Sequence, residues 1–212
     1  MYLNMPYKIQ YSTEDFPFRE TVMKILEESS LEKLHETNKI ELLTREKDQS
    51  TTWHKSYYNK FHADFYPLYL KFVEHLKISL GYESLIYQKI PTFRIHQVGN
   101  LGVGEWHKDK TYNHGLTEVN FWLPFVDTHN TSTIWMESKE DLGDYKPYDV
   151  KYGEVLVFSG ANLMHGNKIN EEETTRVSVD FRLVDPSKFK PNTAGSINMK
   201  TPFDIGGYFE KI

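Results

Sequence analysis

Two short segments, Trp106-His107-Lys108-Asp109 and Met164-His165-Gly166-Asn167, hold the side chains best suited to chemistry. On extended backbone, residues i and i+2 point the same way, so His107 and Asp109 can reach one ion together. A second histidine, His165, would have to arrive from a distant strand. Two imidazoles and one carboxylate on one face of a transition metal leave three coordination positions open to small molecules. Taken alone, H-x-D is a common tripeptide, and a lone histidine is more often structural or on the surface. His35, His54, His62, His75, His114 and His129 illustrate that case, standing in helical or polar surroundings without a partner at ligand spacing.

The elements that must carry these residues follow from periodicity. Residues 17–35 read as helix with a break or recapping at Ser29-Ser30, because Val22, Ile25, Leu26, Leu31 and Leu34 form an apolar stripe. Residues 36–60 are polar and lack a sustained period. A second helix is predicted from about Pro67 to Leu80, with Gly81 where a C-terminal cap belongs. From Pro91 onward the period becomes two. Phe93 and Ile95 alternate with Thr92, Arg94 and His96; Val119, Phe121 and Leu123 alternate with Asn120 and Trp122. Val177, Val179, Phe181 and Leu183 alternate with Arg176, Ser178, Asp180 and Arg182. The nearly apolar run Glu154 to Phe158 reads as a central strand.

Three strands thus have one apolar and one polar face. Arg94, His96, Asn120, Trp122, Arg176 and Ser178 suit a lined cavity better than the Lys, Glu and Thr of a solvated sheet. A mainly β double sheet, buttressed by N-terminal helices on its apolar side, accounts for both faces. The tail after Asp185, rich in Pro and Gly, reads as irregular and as wrapping the domain or covering its mouth.

Bulk composition sets limits. The 212 residues fit one domain, and 39% hydrophobic with 15% aromatic content supplies a core. The 25 Lys and Arg against 30 Asp and Glu give a net charge of −5, with no basic block of the kind a nucleic-acid binder displays. There are no cysteines, which excludes disulfides, thiolate metal sites and cysteine nucleophiles. No signal peptide and no bilayer-spanning stretch is expected, so a soluble cytoplasmic protein is the default.

Arg176 lies eleven residues after His165 and opens Arg176-Val177-Ser178. The combination of H-x-D, a distal H-G and a following R-x-S, in this order and strand context, resembles the iron(II)/2-oxoglutarate-dependent oxygenase superfamily. Within it the chain looks most like the small bacterial, streptomycin-biosynthesis-type and phytanoyl-dioxygenase-like branch. The resemblance covers roughly residues 90–184 and implies a double-stranded β-helix (jelly-roll, cupin-like) core there. Residues 1–89 would be helical support and polar loop, and 185–212 a tail, within one domain.

The resemblance further implies iron(II) held by His107, Asp109 and His165, with 2-oxoglutarate, O2 and ascorbate as an auxiliary reductant. The far carboxylate of 2-oxoglutarate needs a buried cation; Arg176 has that chemistry and Ser178 shares its face. The competing reading of Arg176 is a surface ion pair with Glu171, Glu172 or Glu173. Asn120 would meet the C1 carboxylate of the cosubstrate, and Trp122 would wall the cavity. Arg94 and Arg182 either grip an anionic substrate group or pair with Asp180 or another carboxylate. Halogenating relatives replace the carboxylate ligand by a small residue; Asp109 is present, so hydroxylation of a small polar metabolite or natural-product intermediate, with release of succinate and CO2, is the implied outcome. Residues 36–60, Lys110 to Leu116 and the tail are the gate candidates. The alternatives are a same-fold oxygenase acting on a peptide or protein side chain and a non-catalytic binding protein on this scaffold. A zinc hydrolase is disfavoured, because no H-E-x-x-H pattern is present.

Overall fold

The three alternating segments become strands β3 (Thr92–His96), β4 (Val119–Pro124) and β9 (Arg176–Val184) of one antiparallel sheet in the computed structural model. The structure describes residues 6–42, 49–102, 105–196 and 201–212. Strand β9 is the spine: it pairs with β4 along one edge, and with β3 and then β2 (Ile86–Gln88) along the other. Beyond β4 lies β7 (Glu154–Phe158), and beyond β7 lies β1 (Tyr7–Gln10). Flanked on both edges, β7 is interior, as its apolar sequence predicts. Val155 and Val157 face the main core, while Leu156 and Phe158 face the second sheet.

That second sheet is small, with β6 (Lys146–Tyr148), β5 (Ile134–Met136) and β8 (His165–Gly166) in antiparallel order. Trp122, Ile134, Met136, Leu156, Phe158 and Leu163 pack between the two sheets. The opposite face of the larger sheet presents Phe93, Phe121, Val179 and Phe181, all fully buried, to the helices. Each such side chain contributes about 1.5–3 kcal/mol relative to exposure, so this face fixes the register and leaves the other free for polar groups.

The helices depart from expectation in two places. The apolar stripe of 17–35 is split into α1 (Phe18–Leu26) and a short α2 (Leu34–Thr37), because Glu27 turns left-handed at φ 61°. Its N–H caps the end of α1, three residues earlier than the serine pair suggested. The polar stretch 36–60 contains α3 (Thr52–Lys60), with Thr51 as N-cap. Trp53 and Tyr57, with Phe61 and Phe65 of the π-helical turn Phe61–Phe65, form a buried aromatic row at a spacing of four. That turn runs directly into α4 (Tyr66–Ser79), which ends as predicted, with Gly81 at φ 75°. Residues 43–48, part of one gate candidate, lie outside the described residues.

The tail is also more ordered than its Pro and Gly content suggests. It forms β10 (Asn192–Gly195), β11 (Pro202–Phe203) and β12 (Phe209–Lys211), and β12 pairs with β2 to extend the large sheet. Residues 197–200 of it lie outside the described residues. Among the described residues, no helix is long and apolar enough to cross a membrane.

Candidate metal centre

His107 and His165 are direct cross-strand partners. Their backbones exchange both hydrogen bonds, His107 N to His165 O at 2.9 Å and His165 N to His107 O at 3.0 Å. Residues so paired project to the same side, and the two rings sit 4.5 Å apart. Two residues on from His107, the Asp109 N–H donates to Gly160 O at 2.8 Å as the chain enters a 3-10 turn over Asp109–Tyr112. Asp109 Oδ1 then lies 3.4 Å from His107 Nε2 and 3.6 Å from His165 Nε2. All three donor atoms lie within 4.8 Å of one another, and this is the one such group among the described residues.

The far side of each ring is fixed as well. His107 Nδ1 lies 3.1 Å from Glu105 O, and His165 Nδ1 lies 2.9 Å from Leu163 O. A carbonyl only accepts, so each Nδ1 carries a proton, and each Nε2 is the nitrogen turned toward the centre. Burial above all, against the opposing pull of Asp109, pushes the His165 pKa down to about 4, so the ring is neutral at pH 7.

Asp109 is divided between two tasks. Its Oδ2 accepts from Asn120 Nδ2 at 2.7 Å and from an Arg182 terminal nitrogen at 2.7 Å, which leaves Oδ1 for the centre. Burial would raise this carboxyl, but the Arg182 guanidinium, then His107, His165 and His114, hold it well below the usual range. Asn120 Oδ1 accepts from Gly160 N at 3.1 Å, and only glycine allows that approach, since a Cβ there would come within 2.7 Å of the carboxamide.

Asn120 is thus engaged with Asp109 and Gly160. Of the two readings of Arg182, the structure shows the carboxylate pairing: it meets Asp109, Gln88 Oε1 (3.2 Å) and Tyr208 OH (3.0 Å), with Glu118 3.6 Å away. These side-chain partners are brought together only by the tertiary register.

The rings and Asp109 open onto a small cavity of about 50 Å³. Trp122 lines it, as expected, together with Phe158 and Asn167. Arg94 lines it too and is paired, its Nε 3.4 Å from Asp180 Oδ1. Arg176 is different. It is 2% exposed, donates to Ser132 O at 3.2 Å, lies 5.4 Å from the Trp122 ring centre, and its Nε has no partner. Among the described residues no carboxylate stands within ion-pair distance of it, so the surface pairing with Glu171, Glu172 or Glu173 does not form. Burial first, then the charge of Arg94, push its pKa down to about 9. Gly102 packs so close that a Cβ would lie 2.3 Å from the guanidinium. Ser178 is fully buried beside it on β9, and its hydroxyl has no partner. It does not itself line the cavity.

Residues missed by sequence reasoning are Gly160, Gln88 and Tyr208. Asp180, expected only as an ion-pair partner of Arg94 or Arg182, also lines the cavity. Tyr208 reaches Arg182 from the tail, and nothing local announces it. Of the gate candidates, Lys110 to Leu116 is pinned: His114 Nδ1 lies 2.7 Å from Glu118 Oε2, and Asn113 O accepts from Asn192.

Two imidazole nitrogens, one carboxylate oxygen and no thiolate fit a first-row divalent metal ion. The Arg176 guanidinium, on the cavity wall with its Nε partnerless among the described residues, fits a bound carboxylate. No protein-family model matches the sequence. The non-heme α-ketoglutarate-dependent carbocyclase SnoK of nogalamycin biosynthesis is similar in fold, with a TM-score of 0.51 and 13% identity over 99% of this chain and 92% of SnoK. The nickel complex of the non-heme monooxygenase ThoJ matches at a TM-score of 0.50 and 15% identity, over 91% of this chain and 78% of ThoJ. The fold is thus the one that these two non-heme enzymes share. Over 207 residues, 97% of this chain and 98% of the relative, the sequence is 36% identical to the streptomycin biosynthesis protein StrG of Streptomyces griseus. The chain belongs to the StrG family.

Proposed function

We propose that this chain is an iron(II)/2-oxoglutarate-dependent oxygenase that hydroxylates a C–H bond of a small polar metabolite or natural-product intermediate, releasing succinate and CO2. The observation that carries the reading is a single cavity with a two-histidine, one-carboxylate set and a buried guanidinium that lacks a carboxylate partner among the described residues. The name of the StrG relative supports an antibiotic-type small molecule as substrate. In this reading residues 1–212 are one oxygenase domain on a double-stranded β-helix core, acting in the cytoplasm on a free molecule rather than on nucleic acid.

His107 Nε2, Asp109 Oδ1 and His165 Nε2 would hold the metal. Bound iron with 2-oxoglutarate and O2 supplies the oxidising chemistry. Everything else falls to the protein. Arg176 grips the far carboxylate of the cosubstrate, a bidentate task that suits a guanidinium which stays charged at neutral pH, and Ser178, expected to share that task, is buried behind the cavity wall beside it. Asn120 and Arg182 keep Asp109 turned so that only Oδ1 faces the ion. Trp122 and Phe158 exclude water from one side of the cavity, and Arg94 with Asp180 gives the substrate a donor and an acceptor.

The test is anaerobic addition of iron(II) and 2-oxoglutarate to the purified chain. A visible charge-transfer band of the chelate is expected, and His107→Ala should abolish it. A wild-type chain without the band, or a band untouched by His107→Ala, overturns the assignment.

A further inference from the structure

We propose that Glu137 is a positioning residue for the metal centre, setting the distance between the two segments that carry the ligands, with Lys108 as its counterion. This rests on the reading of His107, Asp109 and His165 as metal ligands, and adds a residue that touches none of them.

Glu137 follows directly on β5, where the pairing of β5 with β8 ends at Met136 and His165. There the side chain takes over from the backbone. Glu137 N donates to Met164 O at 3.1 Å, and Glu137 Oε1 accepts from Met164 N at 2.7 Å, so the residue before His165 is clasped from both of its backbone groups. The other carboxylate oxygen accepts from Gly143 N at 3.3 Å. From the opposite side comes Lys108, the residue between His107 and Asp109. Its parity turns it away from the cavity, and its Nζ lies 3.8 Å from Glu137 Oε1. The Glu137 and Lys108 side chains are 1% and 8% exposed.

One buried carboxylate thus meets both ligand-bearing segments behind the rings. A buried charge costs several kcal/mol unless it is paired and hydrogen-bonded, and the N–H donors of Met164 and Gly143 with the Lys108 ammonium do both. Lys108 also reaches Asp141 at 2.5 Å and lies 3.8 Å from Glu140, but those two carboxylates are exposed and make no contact with the His165 segment. Beside the backbone pair of His107 and His165, Glu137 is the carboxylate that meets both segments among the described residues. A purely local role, closing the loop of residues 137–144, is the competing account. That loop has its own closure, since Ser138 N and Oγ both donate to Asp144 at 2.8 and 2.6 Å.

The experiment titrates Co(II) into the metal-free chain and follows its visible absorption, with far-UV circular dichroism and urea unfolding of the metal-free form alongside. Glu137→Gln keeps an acceptor for Met164 N but removes the charge that holds Lys108. Asp144→Asn weakens the loop closure alone. The expected result is a loss of roughly tenfold or more in Co(II) affinity and an altered absorption envelope for Glu137→Gln, with Asp144→Asn within twofold of wild type. Should Glu137→Gln fail to fold, Lys108→Met removes the same contact from the ligand side and is held to the same thresholds, with Asp141→Asn, which weakens only the exposed Lys108 pair, expected within twofold of wild type. Affinity unchanged in the charge-removing variant, or reduced equally by Asp144→Asn, overturns the role of Glu137. Absence of saturable Co(II) binding in the wild type overturns instead the metal reading, and this inference with it.

Discussion

Replacing Arg176 by methionine should make the ligand-free chain more stable. The guanidinium is 2% exposed, lacks a carboxylate partner among the described residues, and has one hydrogen bond, to Ser132 O at 3.2 Å. Its pKa falls from 12.5 to about 9, through burial and then the neighbouring charge of Arg94. That fall corresponds to roughly 5 kcal/mol against the charged form in the folded chain. The Ser132 bond and the contact with the Trp122 face disappear with the side chain, worth about 1 kcal/mol each. Water at the cavity mouth softens the penalty further, so a net gain of about 2 kcal/mol is expected, methionine filling most of the volume. For a chain of 212 residues this raises the Tm by about 4–8 °C. The same variant should lose the stabilisation by 2-oxoglutarate in the presence of Co(II), which for wild type at a hundredfold excess over Kd is about 2.7 kcal/mol. Urea unfolding followed by tryptophan fluorescence, with and without cosubstrate, measures both. A variant less stable than wild type, or one that keeps its response to 2-oxoglutarate, refutes the reasoning.

The opposite sign is expected at Arg182. Arg182→Met strands the buried Asp109 carboxylate and should destabilise the ligand-free chain by about 3–5 kcal/mol in the same unfolding assay. Gly160→Ala drives a Cβ to within 2.7 Å of the Asn120 carboxamide, so Co(II) affinity should fall roughly tenfold while secondary structure is kept. The buried His96 has its pKa lowered from 6.5 to about 3, by burial and then by Arg176. The unfolded chain therefore takes up that proton first, and stability present above pH 6.5 is lost as the pH falls toward 3. His96→Gln should remove about 2 kcal/mol of the difference in unfolding free energy between pH 7 and pH 5.

The cavity face was legible because strand parity is a local property. Once Phe93, Val119 and Val177 are assigned to the core, Arg94, Asn120 and Arg176 must face the other way. What parity does not contain is which charges meet. Asn120 and Arg182 are register partners across β4 and β9, more than sixty residues apart in sequence, and only that pairing delivers both to Asp109 Oδ2. Helix α3 escaped notice because its buried face is tyrosine and tryptophan among polar neighbours, which weakens the apolar period. Strands β1 and β12, four and three residues long, are defined by the edges they cover, and so carry little signal of their own.

The direct pairing of His107 with His165 has a consequence for how the chain reaches its native state. A slip of one residue in that rung would turn an imidazole away from the cavity and bring Lys108 or Met164 in its place. An ion that takes both rings and Asp109 binds the correct alignment alone, and by mass action draws misaligned chains toward it. Metal supply during synthesis would then act on the yield of correctly folded protein, before any catalysis begins.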